Sequence, residues 1–163
     1  MQKYYVFEDS PVGELWIAMR EGFLTDLRFV RRGDRASFAR EGIESGEELG
    51  EATRQLRAYF RGELTSFDLP VRFETGTVFQ RKAWRELGRI PYGQTITYGE
   101  QARRMGNPRA CRAVGGANRA NPVAIVVPCH RVIGSDGKLT GFGGGLGTKE
   151  KLLRLEKVEG IRR

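Results

Sequence analysis

The hydrophobic pattern of this 163-residue chain shifts near residue 75 from mainly strand-like runs to mainly helical spacing, and that shift limits the folds open to it. Before it, apolar residues come in short runs, Tyr4 to Glu8, Leu15 to Met19 and Leu24 to Val30, separated by Ser10-Pro11-Val12-Gly13 and by Glu21-Gly22. Short β-prone runs broken by such turns predict an antiparallel meander. The stretch 31–50 is charged and Gly-bearing, whereas 51–61 places Leu56, Tyr59 and Phe60 on one helical face, with Gly62 as the stop. Leu64 to Phe73 runs extended around Pro70, and Glu74-Thr75-Gly76-Thr77 reads as a junction. The expected division is an N-terminal lobe over 1–76 and a C-terminal domain over 77–163.

After the junction the spacing becomes helical. Thr77 can cap a helix carrying Phe79, Ala83, Trp84 and Leu87, which stops near Ile90-Pro91-Tyr92-Gly93. Thr97 can cap a second helix reaching Met105, and Gly106-Asn107-Pro108 is a turn with Pro108 available as first residue of a third helix, Arg109 to about Asn118. Two short helices around a tight glycine turn suit a helix-turn-helix, and also an ordinary helical hairpin, which is commoner. Val123 to Val127 forms a buried run ending at Pro128, and Thr148 to Glu159 an amphipathic last helix. The fold class expected is therefore α+β: a small antiparallel sheet with a helix, then a mainly helical lobe.

Composition narrows the function. The 28 Lys and Arg against 20 Asp and Glu give a formal charge of +8, which favours a polyanionic partner such as nucleic acid without specifying one. The two cysteines, Cys111 and Cys129, form no CxxC pair, and His130 is the sole histidine; a disulfide framework and a Cys/His zinc site are both disfavoured, so no metal is expected. The first twenty residues lack an apolar core of signal-peptide length and no apolar run approaches the ~18 residues of a membrane span, which points to a cytoplasmic protein.

Val126-Val127-Pro128-Cys129-His130-Arg131 sets a thiol beside the only imidazole and a guanidinium. Neighbouring positive charge or a base lowers a thiol pKa and makes the thiolate nucleophile. Adjacency alone proves little, because successive strand side chains point to opposite faces and a buried cysteine is commonly packing. The five glycines of Gly141 to Gly147 would let a bulky ligand approach the backbone, or form a plain linker. No phosphate-cradling glycine motif occurs.

Pro128-Cys129-His130-Arg131-Val132, preceded by Gly106-Asn107-Pro108, by Arg112-Ala113-Val114-Gly115-Gly116-Ala117 and by Asn121-Pro122, resembles the methylated-DNA-protein-cysteine methyltransferases, also called O6-alkylguanine-DNA alkyltransferases. The resemblance covers roughly residues 77 to 159, and the N-terminal half agrees in outline. It implies direct-reversal DNA repair, with Cys129 as alkyl acceptor, His130 as the imidazole taking its proton through a water, Glu156 as the carboxylate orienting His130, and Asn121 as the hinge between helix-turn-helix and active-site loop. It further implies that Arg112 enters the duplex from the minor groove and that Tyr98 helps rotate the target phosphate, a base-flipping arrangement. Asn107, Ala110, Ala113, Gly115 and Ser135 fall at DNA-facing positions, and Tyr98, Val132, Phe142 and Gly143 at the alkylguanine pocket. Ala124 and Gly143 stand where some relatives carry bulkier or polar pocket residues, and Gly99 where some carry a polar phosphate contact. No cofactor is implied; the partner is double-stranded DNA containing O6-alkylguanine, bound by a monomer able to pack cooperatively.

Three other readings stay open on sequence. A damage sensor of the same fold would bind alkylguanine without repair, but a Trp occupies the acceptor position in that group. A Cys-His hydrolase would turn over. A DNA-binding regulator would leave Pro128 to Arg131 unexplained. Cys111, on the proposed recognition helix, is expected to be a packing thiol.

Overall fold

The computed structural model describes residues 1–162, which divide into two compact units, Met1–Glu74 and a second beginning at Thr75. In the first, β1 (Lys3–Glu8), β2 (Leu15–Arg20) and β3 (Phe23–Phe29) form an antiparallel meander. Glu21 and Gly22 both adopt positive φ between the paired Arg20 and Phe23, the two-residue turn whose twist matches a hairpin. Leu15 to Ala18 are all fully buried, as an interior strand covered on both faces requires.

The charged 31–50 stretch holds two elements that its pattern does not announce. Helix α1 (Asp34–Ala39) brings Phe38 to stack on Trp16, ring centroids 4.6 Å apart. Strand β4 (Ile43–Glu44) then pairs parallel with β1, so the antiparallel sheet expected gains a parallel edge. A two-residue strand has no period to read. Its approach depends on Gly42, where a Cβ would lie 2.3 Å from the Lys3 carbonyl oxygen. Helix α2 (Gly50–Phe60) buries Leu56 and Tyr59 and ends at the left-handed Gly62, and its Arg57 donates to Glu8 of β1 at 2.6 Å. The extended segment after it joins the sheet through a parallel bridge between Leu24 and Val71.

The second unit opens with α3 (Val78–Leu87), capped reciprocally by Thr77 and Gln80. Gly76 must be glycine, because φ is +98° and a Cβ would meet the Trp84 ring at 2.5 Å. Thr97 caps α4 (Tyr98–Arg104), and α5 spans Cys111–Arg119. The third helix thus begins two residues later than expected, and Pro108 sits in the turn rather than at the first helical position. Ala83, Ala102, Met105, Val114 and Ala117 form the apolar core of these three helices. A buried amide pair fixes their crossing: Gln101 and Asn118 exchange hydrogen bonds of 3.0 and 2.8 Å, while the Trp84 indole donates to the Ala117 carbonyl at 2.7 Å. Every polar atom of this network that is buried finds a partner, which makes the packing specific.

Val123 to Val127, read as a buried run, is a turn in which Ile125 adopts φ 70°. A 3-10 turn at Cys129–Arg131 follows, then β6 (Val132–Ile133), paired parallel with β5 (Ile96–Thr97). This short ladder sets Cys129 beside the start of α4. The last helix, α6 (Leu146–Leu155), begins and ends earlier than expected, leaving Glu156 at its C-cap. No helix among the described residues is long and apolar enough to cross a membrane.

Candidate active site

Cys129 is 8% exposed and lies in a turn with about three residues per revolution, so it and His130 point in different directions. The strand alternation considered from sequence does not apply. Asn121 staples the preceding loop: its Nδ2 donates to the Val127 carbonyl at 2.8 Å and its Oδ1 accepts from the Val123 amide at 3.0 Å. Burial pushes the Cys129 thiol up, opposed by the Asn121 side chain, the charge of Lys149 and a backbone hydrogen bond.

His130, Arg131 and Glu156 form a closed buried set. The His130 Nε2 lies 2.7 Å from Glu156 Oε2; Arg131 donates Nε to Oε1 at 2.8 Å and Nη2 to Oε2 at 3.1 Å, and its Nη1 to the Ile90 carbonyl at 2.6 Å. The Gly93 amide donates to Glu156 as well, at 3.3 Å. Burial alone would raise the Glu156 pKa, but the hydrogen bond from His130 and the hydrogen bonds and charge of Arg131 hold it down at about 2. Burial keeps His130 neutral against the pull of Glu156. An ionised carboxylate can only accept, so Nε2 carries the ring proton and Nδ1 is left as the basic nitrogen. Nδ1 is buried and has no hydrogen-bond partner among the described residues.

Because Glu156 titrates lower in the fold than its ordinary 4.5, its contribution to stability is complete above about pH 4.5 and is lost as pH falls toward 2. Acid unfolding followed by circular dichroism should therefore be flatter across that window in Glu156→Gln than in the parent. An equally steep profile would mean the pair does not carry the acid sensitivity.

A cavity of about 520 Å³, within the ~300–1,000 Å³ usual for small-ligand sites, opens along α5. Tyr98, Arg112, Gly115, Arg119, Thr140 and Gly141 line it. Cys111 lines it too and is exposed, not the packing thiol expected. Tyr98 donates to the Thr140 carbonyl at 3.1 Å, tying α4 to the glycine-rich loop, and a Cβ on Gly115 would touch its ring at 3.9 Å. Of the residues expected to wall the base, Tyr98 alone lines this cavity. Val132 is fully buried in β6, Phe142 is half-buried and Gly143 exposed. The reason is that the loop turns its Thr140-Gly141 end toward α5.

Among the expected DNA-facing positions, Arg112, Ala113, Asn107 and Ser135 are exposed, while Ala110 is half-buried against the helical core. The charge is unevenly divided: residues 75–163 carry 17 Lys and Arg against 6 Asp and Glu, whereas 1–74 carry 11 against 14. The polyanion-binding tendency therefore belongs to the second unit. Sequence reasoning missed Lys149, Arg119 and Thr140 as members of the site, and it set Arg131 beside the thiol without foreseeing its pairing with Glu156. For Lys149 a signal existed: with Leu152, Leu153 and Glu156 it keeps the i, i+3, i+4, i+7 spacing of one buried helical face. Among the described residues no three His, Cys, Asp or Glu side chains converge to hold a metal.

Both units match known protein families. Residues 78–158 match the family described as 6-O-methylguanine DNA methyltransferase, DNA binding domain, and residues 3–73 the one described as 6-O-methylguanine DNA methyltransferase, ribonuclease-like domain. A protein of Methanosarcina acetivorans named methylated-DNA--protein-cysteine methyltransferase is 50% identical over 94% of this chain and 97% of its own length. One of the same name from Mycolicibacterium paratuberculosis is 53% identical over 91% and 89%. The crystal structure of Mycobacterium tuberculosis OGT in complex with DNA superposes with a TM-score of 0.86 at 48% identity, covering 94% of this chain and 92% of that one.

Proposed function

The chain belongs to the 6-O-methylguanine DNA methyltransferase family, and we propose on that basis that it repairs duplex DNA by moving the alkyl group of an O6-alkylguanine onto Cys129. The observation that carries the reading is the His130–Glu156 contact, which leaves Nδ1 as an unpartnered base one residue from the thiol. The Cys129 proton passes to Nδ1, through a water in the family scheme, and the thiolate attacks the alkyl carbon. The carbon–sulfur bond forms as the carbon–O6 bond breaks. Its electron pair stays on the base, which takes up a proton to become guanine. A thioether has no built-in route back to thiol, so each molecule acts once.

Reaching that carbon requires the nucleotide to leave the stack, at a few kcal/mol. Arg112, exposed on the first turn of α5 at the cavity edge, occupies the space vacated in the duplex, and Tyr98 guides the target phosphate. Asn107, Ala113, Gly115 and Ser135 lie against the DNA backbone. Basic charge concentrated in this unit supplies nonspecific affinity, so binding should weaken steeply with salt. The damage-sensor alternative is not favoured: the curated relatives are named as methyltransferases and Cys129 is present.

Arg112→Ala tests the flipping step. Repair of an O6-methylguanine duplex should fall by roughly 10–100-fold, the equivalent of an unstacking cost of a few kcal/mol, with reaction toward the free modified base nearly unchanged. Equal losses on both substrates would remove Arg112 from the flipping role.

A further inference from the structure

Lys149 is fully withdrawn from water. Its Nζ donates to two backbone carbonyls, Val132 at 2.5 Å and Thr140 at 2.9 Å, and lies 5.8 Å from the centroid of the Tyr98 ring. Among the described residues no carboxylate pairs with it. A buried ammonium without an anion is unfavourable, and carbonyl dipoles replace only part of the lost hydration.

The charged and titratable groups around it come from each neighbouring element. Cys129 and His130 approach from the 3-10 turn, and Tyr98 from α4. On α6 and its cap, Glu150 pairs with Arg154, and Glu156 is taken up by His130 and Arg131. Arg119 of α5 acts on Tyr98. Of the groups that Lys149 faces, Tyr98 resists ionisation through burial and His130 can only be neutral or cationic. Cys129 is the one whose reaction requires it to become an anion.

We propose that Lys149 is a positioning residue that supplies the counter-charge for the Cys129 thiolate, held in place by the Val132 and Thr140 carbonyls. His130 takes the proton, and Lys149 stabilises the charge left behind. Burial pushes the thiol up and the Lys149 amine down to about 8, and each charge offsets that effect on the other. The Thr140 carbonyl also accepts from Tyr98, so the cavity wall and the ammonium share one anchor on the glycine-rich loop.

This rests on Cys129 as the reactive thiol, but its test needs no DNA. In a Cys111→Ser background, the rate of Cys129 carbamidomethylation by iodoacetamide is measured against pH by intact mass. Lys149→Met should move the midpoint up by at least one unit, slowing reaction at pH 7 about tenfold, with the high-pH plateau unchanged. Lys149→Arg should recover part of the shift. An unmoved midpoint with a lowered plateau would reduce Lys149 to packing and overturn the proposal. A second measurement needs no Lys149 variant: the ¹³Cε NMR titration of Lys149 should move to lower pH in Cys129→Ser. Identical midpoints would overturn the proposal as well. Either result leaves methyl acceptance by Cys129 to be judged separately, by mass after exposure to methylated duplex.

Discussion

Replacing Glu156 by alanine should destabilise the second unit by about 3–5 kcal/mol, because it strips a buried guanidinium of its carboxylate and leaves Arg131 with the Ile90 carbonyl. That is a large share of the ~5–15 kcal/mol that holds a domain folded. The variant should melt at markedly lower temperature by calorimetry. Glu156→Gln separates structure from chemistry. The amide oxygen can still accept from Arg131, but its NH2 then faces His130 Nε2 and favours the tautomer protonated on Nδ1. The base is lost while the packing is kept. Alkyl transfer should fall by ~10²–10⁴-fold, the usual worth of a positioned general base, with a smaller loss of stability than in Glu156→Ala. Repair at the parent rate by the Glu156→Gln protein would show that the His130–Glu156 contact only holds the fold.

Cys129→Ser should abolish alkyl transfer, a loss of at least ~10³-fold, or roughly 4 kcal/mol in the barrier. The hydroxyl is a far weaker acid than a thiol, so neither His130 nor Lys149 can make it a useful nucleophile. Stability should change little, since Ser is close to Cys in volume. Affinity for methylated duplex should persist, because the basic surface is untouched. Cys111→Ser should repair normally. Loss of repair in that variant instead would relocate the acceptor to α5.

The helical unit was the more legible half. Thr77 and Thr97 announce their helices, because a side-chain cap depends on residues three apart in sequence. Strands β1 to β3 and the Glu21-Gly22 turn are local for the same reason. What stayed hidden is non-local. Strand β4 exists only because β1 is there to pair with it, and the β5–β6 ladder joins residues 36 positions apart. At the site, the Cys129-His130 neighbours were visible in the sequence but were marked as reactive only by a resemblance, and Glu156 could be linked to them only in that way. The Lys149 contacts with Val132 and Thr140 cannot be read from local pattern, although its place on an apolar helical stripe marked it as unusual. The lining of the cavity along α5 was hidden for the same reason, because the path of a glycine-rich loop is set by what it packs against rather than by its own residues.

The central claim is tested most directly by one mass measurement. Protein incubated with excess duplex bearing O6-methylguanine should gain one methyl, about 14 Da, and no more at any duplex excess, with peptide mapping placing it on the Cys129 sulfur. Restored guanine should equal the protein present. Methyl on Cys111, no mass gain with binding intact, or guanine released in excess of protein would each contradict the account.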